Sequence, residues 1–518
     1  MAEKVVVWDD WSGGEYGDIP DHHAAPNQFT GMNVVVYRNG EIGPRPGIRS
    51  FTNDSLGHGF ITGAGFAGTA GADHWVMVNK ALSTDVEIYD GTGGSTWVVH
   101  SGAITTPSVG LDVTSFEEVD SATTYVLVPT NKLYRFDHVD GGSTITQILT
   151  SNPNGHGIAK YRDRLYGNSG NTVYYSEAND ADTWDSSDFF KVGVGPPVRW
   201  MGTQRDSLII ITSDSRVYQY TGSPGSDTLR EIYTGTRHPW VFYPGQARVL
   251  PDGNLLFVPV DRDYPAWLTG GRVVEMDHLS ILGGPDYSSA DSSSEVGIYR
   301  LDEDDEALIL FEQDHPTSGQ QRAITYRDGK WFFFEWGVAN ISTLASTDGQ
   351  EVVLLNDGGG TDPTVATFYT YNPKLERPAF TSDTYSQPGD NTDTPLDAYF
   401  KTGEWWAPEG QEVTVKNIIV DFTKYDTGAG VQNHFDVGVI RIAQHADDTS
   451  ETAIAYQAFD EDDDSANTTG IRDRHISGGP SGGTIPSAGF QIYIEGIVGC
   501  TIKGIRVIID QNPATPRY

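Results

Sequence analysis

The strongest constraint on what this chain can fold into is a pair of strands that keeps returning. From Trp75 to Tyr371, an apolar strand and a short polar turn lead repeatedly into a strand containing an aromatic-x-aromatic or similar pair. The instances are Val76 to Val78 with Val86 to Tyr89, Val126 to Val128 with Leu133 to Phe136, Leu165-Tyr166 with Val173 to Ser176, and Ile209 to Ile211 with Val217 to Tyr220. Three more follow: Leu255 to Val258 with Val273 to Met276, Leu308 to Phe311 with Ala323 to Tyr326, and Val352 to Leu355 with Phe368 to Tyr371. Their starting points lie about 46 residues apart on average. Repeats of roughly 40 to 50 residues, each of four short strands, are how β-propeller blades read in sequence. A small sheet has two apolar faces and unpaired edges, and stacking sheet on sheet in a ring covers the faces. The spacing predicts about seven blades, with six to eight as the bounds, and Asn33 to Tyr37 is expected to complete the first.

Composition agrees with an all-β protein. Gly 59 and Pro 27 in 518 residues, with aromatics at 11%, describe a turn-rich chain. No amphipathic helix stands out, and apolar runs such as Leu208 to Ile211 fall far short of the roughly 20 residues that span a bilayer. The opening Met-Ala-Glu-Lys lacks the apolar segment of a secretory leader. Cys500 is the only cysteine, which excludes an internal disulfide and a cysteine-based zinc site, and it reads as a small core residue.

The length asks for more than one core. Residues 1–50 read as an arm and propeller-closing strand, 51–380 as the propeller, and 381–395 as a linker rich in Ser, Thr, Asp and Pro. Residues 396–518 change character. The longer alternating strands Val413 to Phe422, Phe435 to Ile442, Ala453 to Phe459, Gly489 to Glu495 and Thr501 to Ile509 predict a compact β-sandwich. Within the arm, Asn39-Gly40 is a strong hairpin signal after the β-branched run 33–37, and Pro44-Arg45-Pro46-Gly47 makes an extended exit ending in a turn. Residues 11 to 30 carry many Gly and Pro, so they are expected to order on a neighbouring copy.

The search for chemistry yields no catalytic, cofactor-binding or metal-ligating residue. Asp90 to Trp97 approaches a sialidase Asp-box but carries extra residues, and such boxes are turns remote from the active site. Gly479-Pro480-Ser481-Gly482-Gly483 lacks the Asp before Ser that a serine-protease loop requires. His22-His23 are adjacent in an extended segment and point apart. Asp460 to Asp464 lacks the spacing that aims several oxygens at one Ca²⁺. Asp163-Arg164, Asp206-Ser207 and Asp252-Gly253 sit where turns want an acceptor.

Two passages resemble the tail nozzle proteins of short-tailed bacteriophages, also called tail tubular protein B. One is the arm from Trp11 to the Arg45-Pro46-Gly47 turn. The other is the blade Tyr161-Arg162-Asp163-Arg164-Leu165-Tyr166, Val173-Tyr174-Tyr175-Ser176 and Asp182-Thr183-Trp184. The resemblance implies a non-enzymatic virion protein of the tail, assembled in the host cytoplasm. It implies a hexameric ring that docks to the tail adaptor, meets tail fibre or spike proteins, and passes genomic DNA without gripping it. The alternatives are a receptor- or glycan-binding tail propeller and, after it, a propeller glycoside hydrolase.

A net charge of −37, from 71 acids against 34 bases, opposes binding through phosphate neutralisation. The acidity suits a wall along which a polyanion slides, and it equally suits solubility. The free protein should therefore show no measurable affinity for duplex DNA at physiological salt in a fluorescence-anisotropy titration. Micromolar binding that weakens steeply with added salt would reveal a clustered basic surface and contradict this account.

Overall fold

In a computed structural model, the described residues are 2–15, 27–32, 34–37, 39–45, 151–234, 247–250, 253–259, 264–276, 398–424, 434–442 and 487–513, together with the backbone of the strands named below. Among them there is no helix, and hence none long and apolar enough to cross a membrane. Contacts divide the chain into two compact units. One comprises Met1–Arg49, Ile324–Gly337 and Asn372–Tyr518, and the other Ser50–Ala323 and Val338–Tyr371.

The repeat becomes a succession of small open sheets. Seven four-stranded sheets follow one another among the described residues, beginning at Ile61–Thr69, Ser115–Asp120, Ile158–Tyr161, Val198–Gln204, Ala247–Val249, Val296–Leu301 and Ile341–Ser346. In the third sheet Ile158–Tyr161 is followed by Arg164–Ser169, Thr172–Glu177 and Asp180–Lys191, each antiparallel to the last. In the fourth, Val198–Gln204 is followed likewise by Ser207–Thr212, Val217–Thr221 and Thr228–Tyr233. The first strand of each sheet lies against the first strand of the next, and Ile341–Ser346 lies against Ile61–Thr69, so the order of neighbours is cyclic.

Two expectations need correction here. The segment that joins a repeat sheet from the opening of the chain is Ile48–Ser50, which takes the fourth place in the seventh sheet. Val34–Val36 instead forms a hairpin with Ile42–Pro44. The predicted turn is correct: Gly40 has φ +81° and Tyr37 N donates to Glu41 O at 2.8 Å. A left-handed φ of this kind suits a residue without a Cβ. In the fifth sheet, Leu255–Phe257 pairs with Ala266–Thr269, and only that strand pairs with Arg272–Glu275. Sequence pattern alone does not mark Ala266–Thr269 as a strand, because Pro265 and the polar residues before it look like a continuing loop.

The core of this unit lies between sheets. Every residue of Ser207–Thr212 is buried. Leu208 and Ile210 pack with Tyr161, Tyr166 and Val173 of the third sheet, while Ile209 and Ile211 pack with Leu255, Phe257 and Leu268 of the fifth. Strand alternation thus sends successive residues of one strand into two different cores. The third sheet is tied to its neighbours by polar contacts as well. Asp182 accepts from the Tyr125 hydroxyl at 2.8 Å and from the Arg135 guanidinium, both of the second sheet. Tyr161 donates to the Asp206 carbonyl in the fourth at 2.8 Å. Burial pushes the Tyr166 phenol up to about 12.

The other unit joins both ends of the chain. Cys500–Pro513 pairs with Gln411–Lys424 along its length, with Ala2–Trp8 on its other side, and with the arm hairpin through Ile502 and Ile42. A second sheet contains Gln28–Met32, Tyr399–Thr402, Gly489–Val498, His434–Ile442 and Ile454–Asp460. The two sheets meet through Phe422 on Phe435 at 5.0 Å and Trp8 on Phe490 at 6.0 Å between ring centroids. Glu41, buried at the hairpin turn, accepts from Thr423 at 3.0 Å and from the Thr501 hydroxyl, with Lys503 Nζ at 3.8 Å. Those donors offset the cost of burying a carboxylate. Cys500 is buried as expected.

The arm does not wait for a neighbour at its two ends. Trp11 and Phe29 are fully buried and pack edge-on against Phe400, while Phe29 also stacks on Phe332 at 6.4 Å. Residues 16–26, His22 and His23 among them, and the expected linker 381–395 lie outside the described residues. Phe29→Ala should cost about 3–5 kcal/mol, the usual range for removing a buried aromatic. In chemical denaturation, the transition belonging to this unit should move to markedly lower denaturant, whereas Val5→Ala on the exposed face of Ala2–Trp8 should leave it in place.

Candidate functional site

The described residues form a cavity of about 250 Å³ between the third and fourth sheets, at the end where their first strands begin. Its walls are the loop before Ile158–Tyr161, the turn after Arg164–Ser169 and the entry to Val198–Gln204. Asn152-Pro153-Asn154-Gly155-His156-Gly157 is dense in turn formers, and it closes around one fully buried side chain.

That side chain is Asn168. Its Oδ1 accepts from Gly157 N at 2.7 Å, and its Nδ2 donates to Val198 O at 2.9 Å and to Gly170 O at 3.0 Å. Its backbone carbonyl accepts from Asn154 N at 3.1 Å and Gly155 N at 2.6 Å. One carboxamide therefore fixes all three walls. Gly155 is needed for this closeness, since a Cβ there would stand 2.4 Å from Asn168 Nδ2.

The charged part of the lining is Arg199 beside His156. Arg199 NH1 approaches His156 Nε2 to 2.5 Å. A guanidinium has no acceptor, so in this contact Nε2 is the accepting atom. Asn154, Pro197 and Val198 complete the lining around them. Among the described residues of the lining none is a carboxylate.

None of the residues weighed in the sequence gathers here. Asp163 and Asp206 are exposed in two-residue turns beside Arg162 and Arg205, whose φ values are 55° and 51°. Gly253, at φ 79°, turns the chain before Leu255–Phe257. Asp90 and Trp97 end and begin neighbouring strands, and Asp460 ends another, while 91–96, 461–464 and 479–483 lie outside the described residues. Among the described residues no three His, Cys, Asp or Glu side chains gather at metal-binding range. The cavity itself escaped sequence reasoning, because Asn168 sits inside a strand and its partners are backbone groups from three separate segments. The available signal was the run of turn formers at 152–157.

No family model matches the chain, and no curated protein matches it.

Asn168→Ala strands the Gly157 amide and two carbonyls, and each buried group left without a partner costs about 1–3 kcal/mol. Its melting temperature should fall clearly below that of the parent. Asn168→Asp should fall further at neutral pH, because it sets a carboxylate against the Gly170 and Val198 carbonyls. Equal melting temperatures for all three proteins would show that Asn168 does not organise the walls.

Proposed function

We propose that this chain is a structural protein of a virus particle, the tail nozzle of a short-tailed phage, with copies ringed about the tail axis to form the distal part of the DNA channel. In this reading the seven sheets are propeller blades, and the unit built from both chain ends is a β-sandwich platform that docks to the adaptor or neck. The observation that carries the reading is the layout. A cyclic succession of seven four-stranded sheets completed from ahead of the first is combined with a separate two-sheet unit holding the arm.

The blade that resembles the nozzle family supplies further support, because its residues have mechanical work that a generic hairpin lacks. Asp182 and Tyr161 tie the third sheet to both neighbours. Arg164 reaches across its own sheet to the Ser176 carbonyl at 2.5 Å, and Leu165 N donates to the buried Ser176 hydroxyl at 3.1 Å. The acidity suits a conduit, since a wall that repels phosphate holds water and counterions between itself and the duplex.

Electron cryo-microscopy of particles containing this chain should show six copies about the tail axis, and particles assembled without it should lose their DNA. Absence of the protein from purified particles would overturn the reading. So would glycan hydrolysis by the free protein that disappears when a single carboxylate is changed.

A further inference from the structure

We propose that the outer edge of Ala2–Trp8 pairs with the same strand of a second copy, antiparallel across a two-fold axis at Val7. This goes beyond the channel role and does not depend on it. Copies ringed about one axis all face the same way, whereas two-fold partners face opposite ways, so the pair belongs to the protein before assembly.

The strand itself is the first argument. It lies along Cys500–Pro513 on one side, and among the described strands none pairs with it on the other. Val6 and Trp8 are buried, while Val5 and Val7 are 54% and 46% exposed. An apolar edge of this kind is a template for another strand. The chain keeps its course beyond Trp8, because Asp9 still lies against Gly504, the residue before Ile505.

Symmetry and charge choose the occupant. Opposed residues in an antiparallel pair share a face, so the buried faces of both copies stay on one side only where even-numbered residues oppose even-numbered ones. With Val7 opposite itself, Val6 meets Trp8, and Lys4 of each copy meets Asp10 of the other. Two opposite-charge pairs thus close the contact, one at each end. Lys4 and Asp10 are both exposed. Lys4 Nζ is held 5.4 Å over the Trp405 ring, and Ser12 N donates to Asp10 Oδ1 at 2.8 Å, so both charges are positioned before a partner arrives. An axis at Val6 would set Glu3 against Asp9 twice, like charge on like, and an axis at Val5 or Trp8 would leave Lys4 opposite Val6 or Ser12. One pair of edge strands buries little area, so the association is weak and concentration-dependent.

Sedimentation equilibrium on the full chain should show monomer and dimer. Lys4→Asp and Asp10→Lys should each weaken the dimer at least tenfold, and the two together should restore it to within about threefold. Val7→Cys should cross-link to its own counterpart under diamide, since residues facing each other at the axis stand at about 4.5–5.5 Å between Cα atoms, within disulfide reach. Val5→Cys, about 14 Å from its counterpart, should not. If Lys4→Asp lowers the unfolding midpoint, the two cysteine variants carry the test. A protein that stays monomeric at every concentration would overturn the pairing, even where six copies are found in particles. Dimers indifferent to both charge changes would overturn it too, as would equal cross-linking at the two cysteines or growth beyond two copies.

Discussion

A strand with no solvent face is what the repeat unit depends on. Ser207–Thr212 is buried along its whole length and feeds one core with Leu208 and Ile210 and another with Ile209 and Ile211. A sheet built around such a strand cannot be stable alone, because covering either face takes a neighbour. Each added sheet then exposes a new apolar face in turn. A linear stack would leave two such faces bare; a cyclic order of neighbours leaves none. That is the physical content of the proposed propeller. It also explains why the polar ties at Asp182 and Tyr161 run between sheets, where they fix the angle at which one sheet meets the next.

The second unit meets a different constraint, that of burying polar groups at the junction of distant segments. Glu41 reaches the C-terminal strands only because two hydroxyls and an ammonium await it there. Trp11 and Phe29 fill the interior of the same unit with large rings from an arm that is otherwise short of apolar residues. Few anchors suffice when each is an aromatic side chain buried to within a percent or so.

Much of this was legible in the sequence. The alternation in Gln411–Lys424 and Cys500–Pro513 was read to within a few residues, since strand period and β-branched content agree there. The hairpins of the third and fourth sheets were legible for the same reason, reinforced by turns at Asp163 and Asp206. Partner choice was not. Val34–Val36 and Ile48–Ser50 both look like strands, and nothing local decides which joins the repeat, because the decision rests on residues hundreds of positions away. The cavity was hidden for a related reason. Asn168 is one polar residue in a strand until the backbone groups of 155–157, 170 and 198 surround it.

Ala2–Trp8 lies along Cys500–Pro513, and Ile48–Ser50 joins a sheet whose other strands begin near residue 341. On a ribosome the first residues of this chain would emerge long before their partners exist. The sheet that holds Ala2–Trp8 cannot be completed until Cys500–Pro513 is made, and the seventh repeat sheet must wait for Thr367–Tyr371. Contacts so distant in sequence slow folding and prolong the exposure of strand edges. A product truncated before Cys500–Pro513 would lack the partner of Ala2–Trp8 and would leave that strand's edge bare.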